Sequence, residues 1–197
     1  MKSTIWIIFG LTLCINSLLA DSSAQTERLA LPIPVQIVTA LSCPHCRDKA
    51  DELKGLIEKY SGLGEITGEY VDYPTDLATL IATKLSWSRG AGKRYELYRK
   101  FLARQDEWHN KDWREKLKKV AQELDLTEDE IQKAFENDTE NEKEIVARMQ
   151  KIVRQHNLQF VPALIINHTH VVDIDEKSLR ETLQKIKTEE QEISNKE

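Results

Sequence analysis

Cysteine is scarce in this chain, with three among 197 residues, at positions 14, 43 and 46. So few cannot staple a loop-rich fold, and a bridge between Cys43 and Cys46 closes too small a loop to restrict the unfolded chain much. A bond between those two is there for reaction. Structural zinc wants four ligands, commonly two Cys-x-x-Cys units or one such unit with two histidines, and the chain has no second cysteine pair. It also lacks a Gly-rich phosphate-binding loop, internal repeats, any low-complexity tract before the charged C-terminal stretch, and any apolar run after residue 20 long enough to cross a bilayer. Excess positive charge is missing too. The 28 Lys and Arg against 33 Asp and Glu leave a formal charge of −5, with the signs interspersed, which argues against a nucleic-acid surface and for a soluble body.

What is present begins with a leader. Lys2 precedes an apolar run from Ile5 to Ala20, broken only by Gly10, Thr12, Asn16 and Ser17, and Asp21-Ser22-Ser23-Ala24 follows. A basic start, an apolar centre and a small-residue exit make a secretory signal, so residues 1–24 are read as a signal peptide cleaved after Ala20 or Ala24. Retention as a membrane anchor is the alternative, opposed by a run shorter than a bilayer requires. A lipoprotein site at Leu11-Thr12-Leu13-Cys14 is opposed by the bulk of Leu13. Cleavage after Ala24 removes Lys2 and Asp21, one charge of each sign, so the mature chain keeps −5. It also removes Cys14, leaving Cys43 and Cys46 alone.

The length suits one domain with an insertion. After a linker, 25–31, Pro32 and Pro34 punctuate the approach to an apolar run, Val35 to Leu41, that reads as a buried strand. Ser42-Cys43-Pro44-His45-Cys46-Arg47 then leads into a helix through Leu53, Leu56, Ile57 and Tyr60, stopped by Gly62 and Gly64. Ile66 to Tyr73 reads as a second strand ended by Pro74, and strand-helix-strand implies a right-handed crossover and parallel pairing. From Thr75 to His156 the pattern is helical only. Asp76 can cap the first of these helices, and Thr127 to Glu130 form a capping box before another. Strand character resumes over Phe160 to Ile166, turns at Asn167-His168 and returns through His170 to Ile174, a hairpin signal. Ser178 to Ile186 supplies a closing helix. The mature chain thus divides into 25–74, a helical insertion 75–156, 157–187, and a charged tail 188–197 with little to pack.

The chemistry sits at the first strand-to-helix junction. One helical turn brings both sulfurs within disulfide reach, and Cys43 lies at the helix N-terminus, where free N–H groups and the helix dipole favour a thiolate. Pro44 suits a first helical turn. His168 and His170, if both lay in a strand, would share a face and could join the cysteines at a metal, but the hairpin puts His168 in the turn and His170 on a solvated strand, so no metal site is assigned. His109 and His156 read as surface residues. Trp87, Trp108 and Trp113 read as core or domain seam.

Strand, Cys-x-x-Cys helix, strand, helical insert, Val-Pro hairpin and helix together resemble the thioredoxin fold interrupted by an all-helical domain, as in the periplasmic disulfide oxidase DsbA and its relatives. Cys43-Pro44-His45-Cys46 carries the Pro-His dipeptide typical of that family, and Phe160-Val161-Pro162-Ala163-Leu164 stands at the expected place before the hairpin. The resemblance implies an α/β fold and no cofactor beyond a redox-active Cys43–Cys46 disulfide. It implies Cys43 as the exchanging sulfur, Cys46 as its partner, and His45 directed at the Cys43 thiolate. It implies a cis Pro162 facing the disulfide, with the Val161 backbone open to a substrate strand. Val161 before the proline is the residue common in the oxidases. Implied partners are cysteine-containing exported proteins and a membrane reoxidant of the quinone-linked DsbB type. Periplasmic location and a monomer are expected. A reductase or isomerase of the same fold, and a metal-carrying chaperone, are the alternatives. The chain departs from the family at Ile37, where DsbA has a buried acidic residue beneath the active site, so proton transfer from the buried thiol is expected to be handled differently, or by water.

Overall fold

A computed structural model describes residues 31–137 and 139–195. The signal peptide read at 1–24, most of the linker and the last two residues of the tail lie outside the described residues. The centre of the sheet is β1 (Ile33–Thr39). Behind the cysteines come α1 (Pro44–Asp48) and α2 (Ala50–Gly62), then β2 (Ile66–Asp72) parallel to β1. Six helices intervene: α3 (Leu77–Trp87), α4 (Ala91–Ala103), α5 (Gln105–Trp108), α6 (Trp113–Glu123), α7 (Glu128–Phe135) and α8 (Glu140–His156). The sheet is completed by β3 (Ala163–Ile166) and β4 (His170–Val172), and α9 (Glu176–Ser194) closes the chain. The strand order is β2-β1-β3-β4, with β3 antiparallel to both β1 and β4.

The pattern of β1 explains its central place. Alternation sends Ile33, Val35 and Ile37 to one face, where they pack with Leu164 and Ile166, with Leu53, Leu56 and Tyr60 of α2, and with Leu179, Leu183 and Ile186 of α9. Val38 goes to the other face with Val71, Ile165 and Ile152 of α8. A third core lies within the inserted helices, around Leu85, Phe101, Trp108, Leu117 and Ile131. Local chemistry sets the helix starts: Asp76 and Thr79 cap α3 reciprocally, and Thr127 and Glu130 do the same for α7.

Four features differ from the sequence reading. Strand β1 starts before Val35 and runs through Pro34, whose carbonyl still accepts the Asn167 N–H at 2.8 Å. The missing proline N–H falls at the end of the β1–β3 ladder, so only a terminal rung is lost. Strand β3 begins at Ala163, not Phe160, because the cis Val161–Pro162 bond ends the irregular approach and Pro162 has no donor for a ladder. In the hairpin, Asn167 and His168 take φ of 49° and 59°, Thr169 N–H donates to Ile166 O at 3.2 Å, and Ile166 pairs with His170. Three residues rather than two therefore separate the paired positions. Finally, the tail is helical to Ser194 as part of α9. Its Glu, Gln and Lys are good helix formers, and pairs such as Lys185 with Glu189 at 3.9 Å line its exposed face.

The inserted helices depend on their own core. Leu117 is fully buried there, so Leu117→Ala is expected to cost about 2–5 kcal/mol, read as a lower urea midpoint with an unchanged slope. A cost under about 1 kcal/mol contradicts this packing.

Candidate active site

The chain leaves β1 at Thr39 and is turned at once, the Cys43 N–H donating to Ala40 O at 3.1 Å. Two side chains from the insertion pin this loop. Gln105 of α5, itself buried, donates its amide to Leu41 O, and Ser42 Oγ lies 2.6 Å from Thr75 Oγ1 just ahead of α3. The following residue caps a helix. Cys43 has extended backbone angles, and its Sγ accepts the Cys46 N–H at 3.1 Å, doing with sulfur what Ser or Asp does with oxygen. Pro44 occupies the first helical position, where its lack of an N–H costs nothing.

The two sulfurs differ in environment. Cys43 is half-buried, and its thiol donates to Val161 O at 3.6 Å. Cys46 is 1 % exposed, and its Sγ accepts the Ala40 N–H at 3.5 Å. Both are free thiols in this structure. Burial first, and the neighbouring Cys43 second, push the Cys46 thiol far above its ordinary 9.0. Cys46 is therefore protonated at any physiological pH, whereas the capping bond to Cys43 Sγ strengthens as that sulfur gains negative charge. The structure thus brings Cys43, Cys46 and Val161 into contact, with Pro162 buried behind a cis bond. Pro44 and His45 stand exposed in the first turn of α1.

The histidines lie elsewhere. His168 occupies the hairpin turn and shares a cavity with His156, Gln36, Lys151 and Gln155, while His170 sits on β4 opposite Ile166. His109 places Nε2 at 2.9 Å from Asp76 Oδ2. Among the described residues no group of three or more His, Cys, Asp or Glu could hold a metal ion. Trp108 is fully buried, Trp113 stacks on Phe135 at 6.2 Å, and Trp87 bonds to an acid.

That acid, Asp72, escaped the sequence reading. It ends β2 opposite Thr39 and is buried, with Trp87 Nε1 donating to its Oδ2 at 2.9 Å and Arg94 Nη2 at 2.6 Å. The Arg94 guanidinium also lies 3.7 Å from the Trp87 ring centroid. Burial raises the carboxyl and its two donors oppose the rise. The only local signal was a carboxylate between Val71 and Tyr73 in an apolar stretch. Ile37 is fully buried in the apolar cluster toward α2 and α9. A Cβ on Gly68 would meet its Cδ1 at 3.3 Å and Ile57 Cγ2 at 3.0 Å, so glycine on β2 makes the room that Ile37 fills.

A sheet whose central strand delivers two cysteines to a helix tip, facing a Val-Pro bond from the third strand, defines the class of thioredoxin-fold proteins with a Cys-x-x-Cys dithiol. The profile of the family described as Thioredoxin matches residues 32–185, and the chain belongs to that family. No curated protein matches by sequence. Solved structures share the fold. α-DsbA1 of Wolbachia pipientis is similar at a TM-score of 0.64 and 18 % identity, over 79 % of this chain and 86 % of that one. A thioredoxin-like oxidoreductase from Silicibacter pomeroyi DSS-3 gives 0.62 and 14 %, over 79 % and 87 %. A protein-disulfide isomerase from Novosphingobium aromaticivorans gives 0.62 and 15 %, over 79 % and 92 %. The fold is that of DsbA, a thioredoxin sheet with a helical insertion.

The inner thiol sets a pH dependence. Unfolded, it ionises near 9.0; folded, it titrates far higher, so the unfolded state sheds its proton first. Its contribution to the stability of the reduced protein is complete below pH 9 and declines as the pH rises. Oxidation removes the thiol and leaves Tyr60, Tyr70, Tyr95 and Tyr98, all raised by burial from an ordinary 10.0. The melting temperature of the reduced form should turn down near pH 9, about a unit before the oxidised form; coincident curves would mean that Cys46 is accessible to water.

Proposed function

We propose that this protein is a thiol-disulfide oxidoreductase of the periplasm, which donates its Cys43–Cys46 disulfide to cysteine-containing exported proteins. The observation that carries this reading is the inequality of the pair, a half-buried sulfur capping a helix beside a buried protonated one. A substrate thiolate attacks Cys43 Sγ, forms a mixed disulfide and breaks the Cys43–Cys46 bond. The departing pair of electrons stays on Cys46, which takes up a proton. A second substrate thiolate then attacks the substrate sulfur of the mixed disulfide and releases Cys43 as thiolate, so the substrate is oxidised by two electrons and the protein reduced by two. The exposed first turn at Pro44 and His45, together with the backbone at Val161 and Pro162, borders the place where that substrate docks. Burial of Cys46 confines attack to the outer sulfur.

Export rests on the leader read at residues 1–24, and reoxidation on a quinone-linked membrane partner of the DsbB type, by resemblance; the working form is a monomer. Neighbouring structures bear names that fit: α-DsbA2 of Wolbachia pipientis is called a thiol-disulfide exchange protein, and MdbA of Corynebacterium matruchotii a thiol-disulfide oxidoreductase. The isomerase name on the Novosphingobium structure keeps a reductase or isomerase as the second reading.

Redox poise separates these directions. Equilibrated with glutathione, the Cys43–Cys46 pair is expected to settle at a potential clearly above the roughly −270 mV of thioredoxin. A value at or below that assigns the reducing direction. Cys43→Ser is expected to abolish oxidation of a dithiol peptide, and Cys46→Ser, mixed with oxidised glutathione, to accumulate the Cys43–glutathione mixed disulfide by mass, one glutathione thiolate leaving. Exchange that survives Cys43→Ser would falsify the mechanism.

A further inference from the structure

The Cys43–Cys46 bond opens and closes through a state in which the inner sulfur carries negative charge, yet that sulfur is 1 % exposed and set among apolar side chains. Charge there needs a fixed donor in place of water. The Ala40 N–H is one, lying 3.5 Å from Cys46 Sγ and working against the rise that burial imposes on the thiol. Ala40 is also the first residue of a tight turn, its carbonyl accepting the Cys43 N–H at 3.1 Å. One turn of four residues thus runs from the donor on the inner sulfur to the residue that bears the outer one. The central peptide of such a turn, here between Leu41 and Ser42, takes no part in the turn's own hydrogen bond, so its orientation has to be held from outside. The inserted helices hold it on both sides. Gln105, 3 % exposed, donates its amide to Leu41 O, and Thr75 Oγ1 lies 2.6 Å from Ser42 Oγ. The grip is itself anchored: Trp108, on the same short helix as Gln105, is fully buried and donates its indole N–H to Phe101 O at 2.9 Å, and Asp106 accepts from Arg47 Nη1 at 2.6 Å on the far side of the dithiol.

We propose that the Ala40 N–H holds the negative charge of the Cys46 sulfur while the disulfide opens and closes, and that Gln105 and Thr75 are positioning residues that keep it aimed there. The inference rests on the oxidoreductase reading and deepens it. When a substrate thiolate attacks Cys43 Sγ, a new S–S bond forms, the Cys43–Cys46 bond breaks, and its electron pair stays on Cys46 Sγ, where the N–H bond tightens as the charge grows. A proton from solvent then neutralises the sulfur. In the closing direction Cys46, its proton released to solvent, attacks Cys43 Sγ and expels the bound thiolate, which takes up a proton in turn. Cys46 is neutral at both ends of this exchange, as half of a disulfide and as a thiol. A donor that meets the charge only between those ends changes the rate in both directions and leaves the equilibrium nearly where it was. The Ala40 N–H touches the reacting sulfur; Gln105 and Thr75 act through the turn that carries it.

The test mixes the reduced protein with excess oxidised glutathione at pH 7, quenches with acid and weighs the products, so that the Cys43–glutathione mixed disulfide and the closed Cys43–Cys46 bond are counted separately. Formation of the mixed disulfide uses the Cys43 sulfur alone and is the internal control. Gln105→Met keeps the length of the side chain and removes its donor. Closure in this variant is expected to slow by about tenfold. Formation, and the equilibrium constant with glutathione, should stay within about twofold of the parent. Thr75→Val, a change at an exposed position, is expected to slow closure about threefold in the same pattern. Parental closure in either folded variant overturns the proposal, and the exposed Thr75→Val decides alone if Gln105→Met does not fold. A slowing shared equally by formation, or one that comes with a shifted equilibrium constant, also overturns it, because either marks a general disturbance of the loop. If the parent forms no mixed disulfide, the oxidoreductase reading itself fails.

Discussion

The chemistry available to this protein rests on the unequal solvation of two sulfurs one helical turn apart. The helix geometry that lets Cys46 N–H bond to Cys43 Sγ at 3.1 Å also turns the Cys46 side chain inward, where it is 1 % exposed. An amide donor and a helix end face the outer sulfur, whereas apolar side chains face the inner one. Neither half of this asymmetry is useful alone. An outer thiol without a buried neighbour would have no internal disulfide to exchange, and two accessible thiols would offer two points of attack.

Two layers of the fold meet at that inner sulfur. Strand β1, buried on both faces, fixes where the chain turns, and the α1–α2 crossover follows from its parallel pairing with β2. Leu41 and Cys46, at the end of this unit, belong to the core of the inserted helices, and Gln105 from α5 holds the carbonyl of Leu41. The insertion therefore takes part in the site through packing and a buried hydrogen bond. The Asp72, Arg94 and Trp87 group joins β2 to α3 and α4 in the same way, a buried carboxylate whose Oδ2 accepts from both Arg94 and Trp87.

The parts readable in the sequence are those specified locally. The apolar run of β1, the Cys-Pro-His-Cys junction, the capping residues at Asp76 and Thr127 and the hairpin at Asn167 each announce themselves within a few positions. The parts that escaped depend on residues distant in the chain. Nothing near Asp72 points to Arg94, and nothing near Leu41 points to Gln105 on α5. Strand β3 was read too long because its apolar run is continuous through Pro162, although the ladder needs a donor the proline lacks. Helix α9 was read too short because only its apolar stripe was followed. The charged residues beyond Ile186 contain no Pro or Gly to stop it, and exposed Glu and Lys propagate a helix without packing.

Helices α3 to α8 occupy the stretch between β2 and β3, and their core includes the buried Cys46 sulfur. They are a wall of the reaction chamber and not an ornament on an older sheet. Paring them away would uncover the Cys46 sulfur and narrow the difference in solvation between the two thiols. The long insertion is the architectural counterpart of a single requirement, that one atom be kept dry.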